Sequence, residues 1–302
     1  MIVQGKVILD KILDYKYGRI KKGLPIGIEG IDNHYRYLQN NFVLTIGHAN
    51  TGKTTFIIYL FVVWAIKHNL RFLLFSSENT PESIMRKIIE FKMGQTVDQA
   101  SEMKIGNAIS WAENHFKLID NSRLYNYKDL LNEAKAIKDA WDYNCILIDP
   151  YNSLKKEHTL VKAVGTHEYD YEVASEFRMF AKKQKVSVYL NVHANTQSIR
   201  QVHPKGHEYE GLATPLNGAN IEGGSKWVSR SDDILSIHRY IAHPQEWMFT
   251  QLHVLKIKEI ELNGRPTSFD KPLCFKMAID NVGFIFEGLD ILNDKQPKQI
   301  KI

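Results

Sequence analysis

Eight consecutive residues, Gly47-His48-Ala49-Asn50-Thr51-Gly52-Lys53-Thr54, carry the spacing G-x-x-x-x-G-K-[ST]. A segment of this kind is suited to holding a triphosphate. Its glycines let backbone N–H groups converge on phosphate oxygens, and the positive end of the helix that follows points at them. Lys53 would reach the β- and γ-phosphates, and the Thr54 hydroxyl would hold Mg²⁺. The motif is meaningful only between a strand and a helix. Phe42-Val43-Leu44-Thr45-Ile46 supplies an apolar run before it, and a longer apolar run opens at Thr55, which joins the expected nucleotide-binding segment. The expected ligands are therefore Mg²⁺ and a nucleoside triphosphate. Nothing in these residues chooses between ATP and dTTP.

Three more chemical groups stand where apolar runs stop. Asp149 closes Cys145-Ile146-Leu147-Ile148, the place from which a carboxylate can hold the Mg²⁺ water shell. Any α/β fold has acids at strand ends, so its value comes from the company of Lys53. Glu78 follows the run Phe72 to Phe75. In one large branch of phosphate-loop ATPases a carboxylate at the end of the strand after the first helix orients and deprotonates the attacking water. The plainer alternative is a helix-capping or surface Glu. His193 ends the run Ser187 to Val192, directly before a polar stretch. There an imidazole could sense the γ-phosphate, or it could be a satisfied structural histidine. The remaining histidines, among them His203, His207 and His243, have no zinc-like spacing, and no metal beyond Mg²⁺ is expected.

Cations and polar loops complete the list. Lys256 and Lys258 alternate about Ile257, which places both on one strand face. Such pairs usually face solvent, but in ring ATPases they can project into a neighbouring subunit's nucleotide. Between Asn195 and Trp227 lie Asn195, Arg200, Lys205, Asn217, Asn220, Ser225 and Lys226, interspersed with Gly218, Gly223 and Gly224. Polar and basic groups on a glycine-containing loop suit contacts to a nucleic-acid strand. A disordered polar loop is the alternative.

The elements that must position these groups alternate. After the phosphate loop, strand-like runs at Arg71–Ser76, Phe116–Ile119, Cys145–Asp149 and Val186–Val192 are separated by helical stretches at Pro81–Met93, Val97–His115, Lys128–Trp141 and His167–Lys183. This order predicts a mainly parallel sheet with helices on both faces. The pattern dissolves from Asn195 to Ser231, and so long a loop suggests function. Strands resume at Ile234–His238, Leu252–Ile257 and Leu273–Phe286. Asn263-Gly264 and Asn281-Val282-Gly283 read as hairpin turns, which makes this end antiparallel. The first 20 residues read as an amphipathic helix with Val7, Ile8, Ile12 and Tyr15 on one side.

Composition agrees with a soluble α/β protein. The chain has 302 residues, 44% hydrophobic and 24% charged, with a net charge of +5. The longest uninterrupted apolar run, Phe56 to Ile66, falls short of the roughly 18 residues a membrane helix needs. The N-terminus resembles neither a signal nor a transit peptide. Cys145 and Cys274 sit in apolar runs and read as buried free thiols in a reducing compartment. A cytoplasmic location follows as the expectation, the host cytoplasm were this a phage protein. Basic residues cluster in residues 1–22 and again at Lys295, Lys298 and Lys301. The positive excess permits a polyanionic partner.

Taken in order, Gly47–Thr54, Ser76-Ser77-Glu78, Leu147-Ile148-Asp149, Val192-His193, Ser231-Asp232-Asp233-Ile234-Leu235 and Leu255-Lys256-Ile257-Lys258 with Asn263-Gly264 resemble the RecA-like helicase domain of the DnaB family. The details look most like its Twinkle and phage primase–helicase branch, in which His is typical at the position of His193. The resemblance spans roughly residues 20 to 287. It implies a RecA-like P-loop NTPase, a hexameric ring and 5′→3′ movement on single-stranded DNA, driven by hydrolysis at subunit interfaces. It also implies roles: Glu78 as base, Asp149 as Mg²⁺ carboxylate, His193 as phosphate sensor, and the loops after His193 and from Asn217 to Lys226 as DNA-facing. Residues 1–20 would be a linker helix docking on the adjacent subunit, 21–287 the ATPase domain and 288–302 a basic tail. The family usually has Arg where Lys258 stands. Lysine lacks the bidentate fork, so slower hydrolysis or a substitute such as Arg230 or Arg239 is expected. With no primase domain ahead of residue 20, priming and loading would come from separate chains. A RecA/RadA-like recombination ATPase forming filaments on DNA is the alternative on the same fold, and a packaging or regulatory ATPase gripping a protein is a third.

Overall fold

In a computed structural model, residues 5–292 are described, except for the side chains of Val7, Lys11, Leu160, Val164, His167, Ile199 and Ser225. The expected basic tail from Lys295 lies outside the described residues. A helix α1 (Gly5–Lys16) and a one-turn helix α2 (Glu29–Asp32) precede the core. The core then runs β1 (Phe42–Ile46), α3 (Lys53–His68), β2 (Phe72–Ser76), α4 (Pro81–Met93), α5 (Glu102–His115), β3 (Phe116–Leu118), α6 (Tyr127–Ala140) and β4 (Cys145–Asp149). It continues through α7 (His158–Val164), α8 (Thr166–Gln184), β5 (Ser187–Val192), α9 (Ser225–Arg230), β6 (Asp233–His238), β7 (Phe249–Ile257) and α10 (Ile260–Asn263). It ends with β8 (Leu273–Met277), β9 (Phe284–Phe286) and β10 (Leu289–Asp290).

These strands form one ten-stranded sheet, ordered β10-β9-β8-β7-β6-β1-β5-β4-β2-β3. The strands from β6 to β3 in that order are parallel, and β7 to β10 turn antiparallel. The expected α/β class and its antiparallel end are both present. β1 lies between β5 and β6, so the loop leaving it opens at the centre of the sheet's C-terminal edge.

Local sequence explains the central helix. Phe56 to Ala65 is apolar on every side, a composition tolerated only by a helix enclosed on every side. Each of those residues is at most 2% exposed. One face meets the sheet, and the other meets α4 and the segment Ile26–Tyr37, with Phe56 packed edge-on against Phe275 and Phe284. The opposite side of the sheet is closed by α6 and α8 through Leu130, Val173 and Phe177. The phosphate loop is thus held between a buried strand and a buried helix.

Three expectations need correction. Asn263-Gly264 is not a hairpin turn: Asn263 ends α10, and Gly264 at φ 113 runs so close to His34 that a Cβ would lie 2.5 Å from its carbonyl carbon and oxygen. Cys274 is exposed, because β8 alternates and places it on the outer face, whereas Cys145 is buried. The stretch from Asn195 to Ser231 is folded rather than dissolved. It carries bridges Ala194↔Ile221 and Val202↔Ala213 and the helix α9, anchored by fully buried Trp227 against Tyr151 with ring centroids 4.7 Å apart.

The N-terminal edge of β6 holds a buried polar knot. Asp233 accepts from Asn41 Nδ2 at 2.8 Å and from Asn263 Nδ2 at 2.6 Å, yet burial outweighs these donors and raises its pKa to about 7. The unfolded chain releases this proton near 3.8, so the native state favours the protonated acid. The resulting stability is complete below the unfolded value and is lost as pH rises through the folded one. We expect denaturant titrations to show a loss on the order of a few kcal/mol between about pH 4 and 7.5. Asp233→Asn should flatten that slope, and equal slopes in the two proteins would assign the titration elsewhere.

Candidate nucleotide-hydrolysis site

The loop residues 47–52 join β1 to α3 in a conformation that only their types permit. A Cβ on Gly47 would sit 2.4 Å from Ile237 O and 2.9 Å from Lys53 Cγ and Cδ, so β6 and the lysine stem close on the glycine from both sides. Gly52 takes φ 81 as it enters α3, and Asn50 takes φ 62 at the loop tip. The Thr51 hydroxyl donates to His48 O at 2.9 Å and ties the curl together. His48 Nε2 lies 3.1 Å from Thr214 O, while Ala49 and Asn50 face solvent. Lys53 Nζ folds back to donate to Gly47 O at 3.1 Å and His48 O at 3.2 Å. Burial lowers its pKa, opposed by Asp149 and Glu78. A phosphate would offer this ammonium better acceptors than two carbonyls.

Asp149 is locked from three elements. Thr54 Oγ1 donates to its Oδ2 at 2.7 Å, Asn191 Nδ2 donates to its Oδ1, and Asn191 Oδ1 in turn accepts from Thr45 Oγ1. The Thr54 hydroxyl and the Asp149 carboxylate therefore form a hard oxygen pair at the mouth of the loop, a donor set that fits Mg²⁺. The ion would neutralise phosphate charge there. The residues themselves hold one another in place, and Asn191 is the positioning residue that sequence reading missed. Its place two residues before His193 on β5 was the available signal.

Glu78 and His193 meet across the site, with His193 Nε2 3.5 Å from Glu78 Oε1. Their side chains are 55% and 43% exposed, so both can reach a ligand. The His193 backbone N–H donates to Asn152 Oδ1 at 3.1 Å. Lys53, Thr54, Asp149, Glu78 and His193 therefore gather from α3, β4 and the loops after β2 and β5 at one edge of the sheet. That arrangement can bind a triphosphate, polarise it and orient water. Thr55 follows in the first turn of α3.

The cations divide. Lys256 Nζ donates to Val228 O at 2.6 Å and Ser231 O at 2.7 Å, so it braces α9 of its own chain and does not project outward as the alternation predicts. A bulge causes this: Ile234 pairs with Lys256 but Leu235 with Val254, leaving Leu255 extra and turning the strand end. Lys258 is exposed, 3.3 Å from Asp232 Oδ1, which Arg178 Nη2 also contacts at 2.8 Å. Of the substitutes, Arg230 stacks on Tyr171 at 4.0 Å, and Arg239 lies beside its own Gly52 with Nη2 on Trp247 O at 2.7 Å.

The expected nucleic-acid loop is mostly engaged with itself. Asn195 donates to Ala219 O at 3.2 Å and caps Ser198 N at 3.0 Å. Asn217 and Asn220 form a reciprocal capping box, and Asn220, 5% exposed, also donates to Gln201 Oε1. These amides shape the loop. Lys226 pairs with Glu168 at 3.0 Å. Arg200 and Lys205 are exposed, and the Ser225 side chain lies outside the described residues.

With this geometry in place, similarity to known proteins is informative. Residues 24–166 match the family model of the KaiC ATPase. The Twinkle homolog protein, chloroplastic/mitochondrial, of Arabidopsis thaliana is 22% identical over 244 residues, 76% of this chain and 32% of that protein. The chain thus spans about a third of that relative's length. Among solved structures, one ATPase domain superposes with TM-score 0.72 at 14% identity, covering 94% of this chain and 99% of that one. A DnaB-like replicative helicase, studied with its interactions with primase, gives 0.71 at 15% identity, covering 94% and 67%. A KaiC-like protein from Pyrococcus horikoshii OT3 gives 0.56 at 15%, covering 88% and 97%. The chain is a RecA-like P-loop ATPase fold, similar in sequence to KaiC-type ATPases and a Twinkle homologue and in architecture to a DnaB-like replicative helicase.

Proposed function

We propose that this chain is the motor domain of a replicative-type DNA helicase, which assembles as a hexameric ring and moves 5′→3′ on single-stranded DNA by hydrolysing ATP or dTTP with Mg²⁺. One observation carries the reading. His193 contacts the candidate base Glu78 and is also the first residue of the polar loop that bears Arg200 and Lys205. A change at the γ-phosphate therefore has a short covalent route to a strand-gripping loop.

Two further features support action between subunits. Lys258 follows the end of β7, which runs antiparallel to β6, and so lies beside Asp233 at the sheet edge opposite the loop at Gly47. A β6 of six residues separates those edges by about 20 Å. Lys258 is thus out of reach of its own subunit's nucleotide, and in this reading it serves a neighbour's. The helix α1 leaves Ile8, Leu9 and Ile12 47%, 53% and 56% exposed, a face suited to docking on a neighbour. In this reading residues 1–20 are a linker, 21–287 the motor and 288–302 a tail. A primase or loader is a proposed partner, and the proposed setting is cytoplasmic. No helix among the described residues is long and apolar enough to cross a membrane.

Strand displacement on forked DNA tests the proposal. Unwinding should require a 5′ tail and nucleotide; 3′-tail unwinding, or open filaments by electron microscopy, would overturn it. If Lys258 acts in trans, doping Lys258→Ala subunits into wild type should depress turnover more than in proportion to their fraction. A strictly linear decline rejects that role.

A further inference from the structure

Where the segment 203–215 folds over β6, β7 and β8, it encloses a cavity of about 320 Å³. No residue of the phosphate loop lines it, although Thr214 O of the same segment lies 3.1 Å from His48 Nε2, and neither Arg200 nor Lys205 lines it. Tyr209 stacks on Tyr240 with centroids 3.9 Å apart, and His203 stacks on His207 at 4.1 Å. Phe269, 48% exposed, also lines the cavity and packs on His253 at 5.6 Å. Glu208 and Asp270 complete the charged lining, to which no Lys or Arg contributes among the described residues.

One lining group lacks a partner. His253 is 1% exposed, and its Nδ1 makes no hydrogen bond. Its Nε2 lies 3.3 Å from Gln251 Oε1, so Nδ1 is the ring nitrogen without a partner. Burial holds this imidazole neutral, with a pKa lowered to about 4. Burial likewise lowers His203. The cavity therefore offers π faces and two carboxylates beside a buried histidine with an unpartnered ring nitrogen, and no Lys or Arg lines it among the described residues. A metal ion is a poor fit, since among the described residues no three His, Cys, Asp or Glu are grouped to hold one.

We propose that this cavity is a binding site for an organic cation, an alkylguanidinium or alkylammonium group held between Tyr209 and Phe269 and neutralised by Glu208 and Asp270. Rings attract such cations through their quadrupole faces, most strongly when desolvated. The two lining carboxylates, Glu208 and Asp270, compensate such a charge; a neutral aromatic would not need this, and an anion would be repelled. The cation can come from an Arg or Lys side chain of a second copy or from a free small molecule.

Calorimetric titration of the full chain with butylguanidinium tests this, with butylurea as the neutral isostere. Saturable binding with a Kd on the order of 1 mM is expected, the scale of a few cation–π and charged contacts at one small site. Butylurea should bind at least tenfold more weakly. The double variant Glu208→Gln, Asp270→Asn should lose tenfold or more for butylguanidinium while binding nucleotide as wild type does. The milder Asp270→Asn alone provides a second reading, with an intermediate loss. Dissociation of a protein oligomer by butylguanidinium identifies a second copy's side chain as the natural occupant, and an unchanged oligomer identifies a free cation; either accords with the site. No saturable binding, or equal affinity for butylurea, or an unaffected double variant overturns the proposal. Failure of the cation to bind would leave the helicase reading untouched.

Discussion

Lys53→Ala is expected to reduce NTP turnover at least ~10³-fold, the scale of losing a preorganised donor aimed at developing phosphate charge together with the binding it supports. The lysine is placed for this and little else. Its stem runs beside Gly47, where a Cβ would already lie 2.9 Å from Cγ and Cδ, and its ammonium rests on the Gly47 and His48 carbonyls. A desolvated cation on neutral acceptors is poorly compensated, so removing it should not cost stability. The variant should unfold at the wild-type temperature or above while failing to retain nucleotide. Lys53→Arg should not rescue, because the guanidinium needs room that Gly47 and Ile237 do not leave and offers a planar fork in place of a point charge. Turnover within tenfold of wild type in Lys53→Ala would mean that the loop does not cradle phosphate.

Much of this site was legible because its residues punctuate apolar runs. A strand buried on both faces reads as a continuous hydrophobic segment, and the first polar residue after it marks the sheet edge. Asp149 and His193 directly follow such runs and Glu78 follows two serines later, and parallel pairing brings these strand ends together. Asn191 escaped because its role depends on register: Ile148 pairs with Leu190, which carries Asn191 alongside Asp149. No local pattern encodes that neighbour. The direction of Lys256 escaped for a related reason, since one bulged residue at Leu255 redirects what strict alternation would place outward. The polar stretch after His193 reads as structureless because its order comes from amide caps and three scattered buried residues, Leu216, Ile221 and Trp227, not from periodic apolar residues. Exposed loop polarity suggests a ligand, but here Asn195, Asn217 and Asn220 largely satisfy the backbone around them.

The same geometry makes Glu78 the sharpest test of chemistry as distinct from binding. Glu78→Gln keeps shape and hydrogen-bonding capacity but cannot take a proton, so nucleotide should bind as in wild type and hydrolysis should fall about 10²-fold or more. Its partner sharpens the reading. His193 Nε2 lies 3.5 Å from Glu78 Oε1, close enough for the imidazole to steer the carboxylate and too far for a tight hydrogen bond. If His193 senses the γ-phosphate and relays it to the loop it begins, His193→Ala should retain much of the basal rate and lose its stimulation by single-stranded DNA. Glu78→Gln should instead lower basal and stimulated rates by the same factor. The two variants thus separate proton transfer from coupling in one assay. Unchanged DNA stimulation in His193→Ala would make that histidine structural. Near-wild-type hydrolysis in Glu78→Gln would move the base elsewhere and leave Glu78 an exposed acid at the foot of α4.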